Sequence, residues 1–326
     1  MKAIVQERFG APEVLRLADV DVPSVGPDDV LVRIRAAALN PYDWHMLRGD
    51  PYVARLLGGV GLRRPKARVP GIDAAGVVEV VGAHVRGLAP GDEVFGLCAG
   101  SLAEYALAAP RDALVPKPAR LTFEQAAAIP LAAGTALQAI RDVARMQAGQ
   151  RLLVIGAAGG IGTFAVQIAA GLGVEVTGVC STRNVDLVRA LGAVDTVDYT
   201  AEDFLERPER YDAILDNISN VPLRRLRRVL TPSGTLVVNG GGAPGRIFGA
   251  VTNFPRGLAL NAVVRQRIRP FIWKPRQADL VALADLVDAG RLTPVLDRAY
   301  ALPDAEESLR HVEGGHVRGK VVVTVA

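Results

Sequence analysis

The sequence predicts an α/β protein, with a strand-rich β-barrel or sandwich in its first part and a doubly wound parallel sheet after it. Three observations point there. Residues 1–120 read as short strands punctuated by Pro and Gly, strands and helices alternate beyond residue 150, and between them lies an apolar run, Leu152 to Val174, interrupted by glycines.

The first strands are KAIVQE (2–7), VLRLADV (14–20), DVLVRIRAAAL (29–39), AAGVVEVVG (74–82), DEVFGL (92–97) and LAEYALA (102–108), separated by VPSVGPDD, VPGID and LAPGDE. At Thr122 the texture changes. Thr122 and Gln125 have capping-box spacing and introduce the Ala-rich helical stretch LAAGTALQAIRDVAR. A βαβ unit follows, then a helix near 184–191, strands 195–199 and 211–217, a helix 221–230 and a strand 234–240. Leu280, Leu283 and Leu286/Val287 mark a late amphipathic helix closed by Gly290, and GKVVVTV (319–325) is a final strand. A terminal strand so far outside the βα alternation points to a discontinuous first domain: 1–120, then 121–275 as the parallel-sheet domain, then 276–326 returning to the first.

The apolar run is 23 residues long with only Thr163 and Gln167 polar, which is long enough to span a bilayer. Its six glycines argue otherwise. Gly156, Gly159, Gly160 and Gly162 fall within seven residues and divide the run into a strand (152–155), a tight turn (156–162), a helix (163–172) and a second strand (174–179). Strand, glycine turn and helix make a dinucleotide site, where backbone must approach a pyrophosphate at a helix N-terminus. The fingerprint slots read Ala157-x-Gly159-x-x-Gly162, with an alanine in place of the first glycine, and Gly160 and Ile161 complete the turn. The end of the second strand, Cys180-Ser181-Thr182-Arg183-Asn184, has no acid to accept a ribose 2′-hydroxyl. Ser181 can donate a hydrogen bond there and Arg183 can pair with a 2′-phosphate, which favours NADPH over NADH.

Composition narrows the function classes. Half of the 326 residues are hydrophobic, the net charge is +4 with scattered arginines, and no RNA-recognition motif or basic-aromatic stripe is present, so nucleic acid is an unpromising partner. The cysteines, Cys98 and Cys180, form no CxxC pair and supply no disulfide framework or cysteine-rich zinc site. MKAIVQERFG lacks an apolar segment of signal-peptide length, and a cytoplasmic location is expected, with no membrane span.

With these residues in hand, the chain resembles the medium-chain dehydrogenase/reductase superfamily, in its zinc-independent, quinone oxidoreductase-like branch (zeta-crystallin-like and reticulon-interacting-protein-like). The resemblance covers essentially the whole chain. It rests on AAALNPYDWHMLRG (36–49), VPGIDAAGVVEVVG (69–82), PGDEVFG (90–96), IPLAAGTALQAI (129–140), VIGAAGGIGTFAVQIA (154–169), LGAVDTVDYT (191–200) and RGKVVV (318–323). It implies a GroES-like β-barrel built from the N-terminal part and the C-terminal tail, and a Rossmann domain between them.

Zinc-dependent alcohol dehydrogenases of the superfamily hold their metal with a Cys and a His where this chain has Asn40 and Ile72. Neither replaces a thiolate or an imidazole on zinc, so no metal is expected. Hydride transfer to an electron-poor acceptor, a quinone or the C=C of an α,β-unsaturated carbonyl, is the implied reaction. By resemblance, Thr135 lies near the nicotinamide, Tyr199 near the adenosine phosphate, Asn239 and Gly240 beside the nicotinamide ribose or carboxamide, and Lys320 reaches the cofactor from the tail. Each of these residues also has an ordinary structural use. At the substrate end, Asn40 and Tyr42 are candidate donors to a carbonyl oxygen, and His45, or water, a candidate proton carrier. The segments 50–68 and 241–275 are candidates for shaping substrate choice, with Phe248, Phe254, Phe271 and Trp273 able to line an apolar pocket. A homodimer is implied. Two alternatives stay open: an NADPH-binding scaffold or RNA-binding crystallin-like protein with little turnover, and a biosynthetic tailoring reductase acting on a bulky substrate.

Overall fold

The computed structural model describes residues 1–50, 52, 55, 61–108, 114–239, 257, 260–261 and 264–325. In chain order the elements used below are β1 (Lys2–Val5), β2 (Arg16–Asp19), β3 (Val30–Leu39), α1 (Pro41–Arg48), β4 (Asp73–Val81), β5 (Glu93–Leu97), β6 (Tyr105–Ala108), β7 (Leu114–Pro116), α2 (Phe123–Ala127) and α3 (Pro130–Gln138). Then come β8 (Arg151–Ile155), α4 (Gly160–Gly171), β9 (Glu175–Cys180), α5 (Val185–Ala190), β10 (Asp195–Asp198), β11 (Tyr211–Asp216), α6 (Leu223–Leu226), β12 (Leu230–Val238) and β13 (Arg267–Pro270). The tail supplies α7 (Gln277–Asp288), β14 (Leu296–Ala301), α8 (Ala305–Glu313) and β15 (Lys320–Thr324).

The chain divides into two compact units, Met1–Gly134 with Pro275–Ala326, and Thr135–Lys274. In the first, the sheet order is β14-β15-β3-β4-β5-β7, with β6 also on β3. The tail strand β15 pairs antiparallel with β3, Val321 opposite Leu39 and Thr324 opposite Ala36, so the first unit is discontinuous. Two side-chain ties hold the late helix to the same unit: Arg120 Nη1 donates to Val287 O at 3.0 Å and Gln277 Nε2 to Leu114 O at 3.1 Å. The unit reaches past the composition change at Thr122 because α2 packs on β3 and β4. The capping box is formed: Gln125 N donates to Thr122 Oγ1 and Thr122 N to Gln125 Oε1. Its core is aliphatic, from Ile4, Val32 and Leu39 through Leu102 to Val321 and Val323.

The second unit holds a parallel sheet in the order β10-β9-β8-β11-β12-β13. The order reverses between β8 and β11, which opens a crevice beyond their carboxyl ends. The apolar run forms β8, a turn, α4 and the approach to β9, and among the described residues no helix is long and apolar enough to cross a membrane. β8 is buried after its first residue, as a strand covered on both faces requires. On α4, Phe164, Val166 and Ile168 are buried, each worth about 1.5–3 kcal/mol. The helix begins at Gly160, inside the segment expected to be turn, because Gly159 takes the N-cap position. The predicted helix 221–230 is shorter, since β12 begins at Leu230 and takes up its last residue. β7, β13 and β14 are short and carry no clear alternation, whereas α8 is amphipathic, with Ala305, Leu309 and Val312 on its buried face, and adds an element to those read from the sequence.

Candidate functional site

The glycine turn is built by close approach. Gly156 has φ +76°, a conformation that favours glycine. A Cβ on Gly162 would lie 2.1 Å from Gly156 O and 2.7 Å from the Ala157 backbone, so only glycine lets α4 sit this near the turn. Ala157, in the first fingerprint slot, is buried, and β9 makes room for its methyl. A Cβ on Gly178 would stand 3.0 Å from Ala157 Cβ and 2.4 Å from Val188. Gly159 differs from both. A Cβ there meets only Gly156 O, at 3.5 Å, so its α-carbon faces open space at the N-terminus of α4. Gly159 offers no side-chain cap, and the first-turn N–H groups of a helix have no partner within it. An anion can therefore approach the backbone here, as a pyrophosphate requires. Gly160, Ile161 and Gly162 form that first turn.

Beside it, the strand ends carry polar groups. Asn217 Nδ2 donates to Ile155 O at 3.2 Å, and Asn239 Nδ2 donates to Asn217 Oδ1 at 3.1 Å, so the ends of β8, β11 and β12 are joined by amides. Asp216 closes the turn after β11, its Oδ1 accepting from Ser219 N at 2.8 Å and Ile218 N at 3.1 Å; burial pushes its carboxyl above the ordinary range. Asn217 and Asp216 were missed by sequence reasoning because Asp and Asn after a strand are as common in plain turns. Gly240 lies outside the described residues, as do Phe248 and Phe254. Thr135 is buried at the first position of the second unit.

At the end of β9, Ser181 Oγ accepts from Asn184 Nδ2 at 3.2 Å, which leaves the serine proton to donate, and Arg183 is exposed. Tyr199 follows β10 and is 56% exposed, unusual for a large aromatic. One feature of this corner escaped the sequence reading. No acid ends β9, yet Asp198 of β10 stands opposite Cys180 in register. It comes from the neighbouring strand, so its proximity is invisible in linear order.

The first unit gathers a different set. Asn40 Nδ2 donates to Asp73 Oδ2 at 3.0 Å, and Asn40 N donates to Asp43 Oδ2 at 2.7 Å, closing the N-terminus of α1. Lys320 donates to Leu39 O at 2.9 Å and to Asn40 Oδ1, and its ammonium lies 3.8 Å from Asp73 Oδ2. Asp73 Oδ1 accepts from Leu131 N at 3.2 Å. All four polar side chains are buried. Burial pushes the Asp43 carboxyl up to about 7 and that of Asp73 to about 6, and lowers Lys320. Asn40 is thus engaged at both ends of its amide, and Lys320 lies inside the first unit beside the two carboxyls. Neither burial is visible from the sequence, since RGKVVV reads equally well as an exposed turn.

Tyr42 and His45 remain on α1. Tyr42 is 44% exposed, and partial burial, with Asp43 nearby, raises its phenol above the ordinary value, so it is a proton-bearing donor at neutral pH. His45 stacks on Trp44 at 3.6 Å between ring centroids, and its Nδ1 has no hydrogen-bond partner among the described residues. Burial lowers its pKa, leaving a neutral imidazole. Phe271 is partly buried, and Trp273 Nε1 is buried without a described partner.

Two family models match the chain: an alcohol dehydrogenase GroES-like domain over residues 26–119, and a zinc-binding dehydrogenase over residues 191–323. A 2-methylene-furan-3-one reductase from Solanum lycopersicum is 32% identical over 340 residues, covering 99% of this chain and 79% of the relative. The mitochondrial NAD(P)H oxidoreductase RTN4IP1 of Mus musculus is 34% identical, covering 100% of this chain and 89% of the relative. A chloroplastic NADPH-dependent alkenal/one oxidoreductase of Arabidopsis thaliana is 32% identical over 99% of this chain and 79% of the relative. The solved structure of a quinone oxidoreductase from Coxiella burnetii superimposes with a TM-score of 0.86 at 31% identity, covering 100% of this chain and 99% of that one. With a GroES-like first unit, a Rossmann second unit and these relatives along its whole length, the chain belongs to the medium-chain dehydrogenase/reductase superfamily, in its quinone oxidoreductase-like branch.

Proposed function

We propose that this protein is a zinc-independent, NADPH-dependent reductase of quinones or of the C=C bond of α,β-unsaturated carbonyls. The observation that carries the reading is the turn at Gly156–Gly162. Its open α-carbon at Gly159 meets the uncapped start of α4, a shape that fits a pyrophosphate. The relatives named as reductases of a methylene-furanone and of alkenals and alkenones support the substrate class.

The zinc-binding dehydrogenase family includes members that hold a catalytic metal. The donor set here does not fit zinc. Asn40 offers a neutral amide oxygen already receiving the Lys320 ammonium, and Ile72 offers no donor at all. A cation placed there would face the Lys320 ammonium.

When bound, a reduced nicotinamide supplies the hydride. The chain's part is to bind and orient: the α4 N-terminus takes the pyrophosphate, Ser181 donates to a 2′-phosphate and Arg183 pairs with it, and Asn239 presents its amide beside the sheet's carboxyl end. On α1, Tyr42 keeps its proton at neutral pH and can donate to a developing enolate oxygen, while the neutral imidazole of His45 can relay a proton.

The test is loss of NADPH absorbance by chelator-treated protein offered a small quinone and a simple enone, with NADH and Arg183→Ala in parallel. Turnover that survives chelation, prefers NADPH and loses that preference in the variant supports the reading. Activity that appears only on adding zinc refutes it.

A further inference from the structure

The turn carrying Ser181 and Arg183 is held by more than its own strand. β9 and β10 are parallel neighbours whose last residues, Cys180 and Asp198, stand opposite each other, so the segments beyond them leave the sheet side by side. A polar chain joins the two. Thr200 donates its N–H at 3.0 Å and its hydroxyl at 2.7 Å to Asp198 Oδ1. Thr182 Oγ1 lies 3.0 Å from Thr200 Oγ1. Thr182 also hydrogen-bonds the Asp198 carboxylate, through its side chain and its backbone. Hydrogen bonds from Thr182 and Thr200 hold the Asp198 carboxyl below its ordinary range, so it is an anion at neutral pH.

A carboxylate in this corner has two opposed effects. Its charge repels a phosphate, weakly, since water screens exposed charges. Its hydrogen bonds hold the turn that receives the phosphate. We propose that Asp198 is a positioning residue for cofactor choice: through Thr200 and Thr182 it fastens the Ser181–Arg183 turn to β10, so that the serine hydroxyl and the guanidinium are held ready for one 2′-phosphate. This rests on the NADPH reading above and adds the residue that makes the turn selective.

The two effects predict opposite signs, which makes the test decisive. NADPH and NADH KM values are measured for the wild type, Asp198→Ala, Asp198→Asn and Arg183→Ala. Binding of 2′-AMP against 5′-AMP, by calorimetry, gives a readout independent of turnover. Asp198→Ala is expected to raise the NADPH KM and the 2′-AMP Kd about fivefold to tenfold, the loss of one or two hydrogen bonds, with the NADH KM within about twofold. Asp198→Asn keeps an acceptor oxygen for Thr200 and removes the charge, so NADPH returns to wild-type affinity or better. Tighter or unchanged NADPH binding in Asp198→Ala overturns the proposal, as does equal weakening of both cofactors, which would assign the residue to stability alone. Arg183→Ala separates the layers. If it leaves NADPH binding intact, the phosphate reading fails and takes this inference with it; if it weakens NADPH while Asp198→Ala does not, only the role of Asp198 falls.

Discussion

Asn239 donates one proton of its side-chain amide to Asn217 Oδ1 across 3.1 Å, and this contact fixes how its amide is turned. The Ile155 carbonyl can only accept, so Asn217 must turn its NH2 toward it, at 3.2 Å, and offer its oxygen to Asn239. Asn239 must then donate, which leaves its own oxygen and its second amide proton at the carboxyl end of β12.

Asn217→Leu breaks this relay at its centre without touching the Ser181–Arg183 turn. NADPH and NADH should weaken alike, by about tenfold for the loss of one oriented hydrogen bond, whereas Arg183→Ala should weaken NADPH alone. Steady-state KM for the two cofactors separates the variants; an Asn217→Leu effect confined to NADPH would show that the relay serves the phosphate instead.

The glycines of the turn should divide by what surrounds them. Gly162→Ala places a Cβ 2.1 Å from the Gly156 carbonyl, a clash with backbone, and should lower Tm by several degrees even without cofactor. Gly159→Ala meets only one atom at 3.5 Å and should melt like the wild type while binding NADPH at least about tenfold more weakly, because its methyl enters the space a pyrophosphate would take. Thermal melts and cofactor titration of both proteins check this; a wild-type NADPH affinity in Gly159→Ala would place the pyrophosphate elsewhere.

The buried carboxyls of the first unit should leave a mark on stability against pH. Asp43, raised to about 7 by burial, binds its proton more tightly folded than unfolded. Its contribution is therefore full below about pH 4 and is lost as pH rises through about 7, with a slope of at most about 1.4 kcal/mol per pH unit. Urea unfolding from pH 4 to 8 should show that decline flattened in Asp43→Asn. Parallel curves for the two proteins would mean that Asp43 does not titrate in this window.

Lys320→Met removes the ammonium from Asn40, Leu39 and Asp73 and should cost about 3–5 kcal/mol, as breaking a buried pair does. Asp73 can respond by taking a proton, so the cost should be smaller at pH 5 than at pH 8. Adding Asp73→Asn should recover part of it. A cost independent of pH, with no recovery in the double variant, would count against charge compensation as the role of this lysine.

Both kinds of architecture and the glycine turn were legible in the sequence. Period-two strands between Pro and Gly breaks, the βα alternation, and glycines spaced for close approach are local patterns that chain geometry converts directly into structure. It also carried Ser181, Arg183 and the capping box at Thr122, all set within a few residues of each other. Tertiary structure alone decided what strand register and burial bring together: Lys320 beneath Asn40 from 280 positions away, Asp198 beside the Ser181 turn because β10 lies next to β9, and Asn217 between Ile155 and Asn239. A hydrogen bond or ion pair depends on ångström distances across strands, and no periodicity along the chain records them. For that reason the contact between Asn40 and Lys320, two separate candidates in one dimension, emerges only in three.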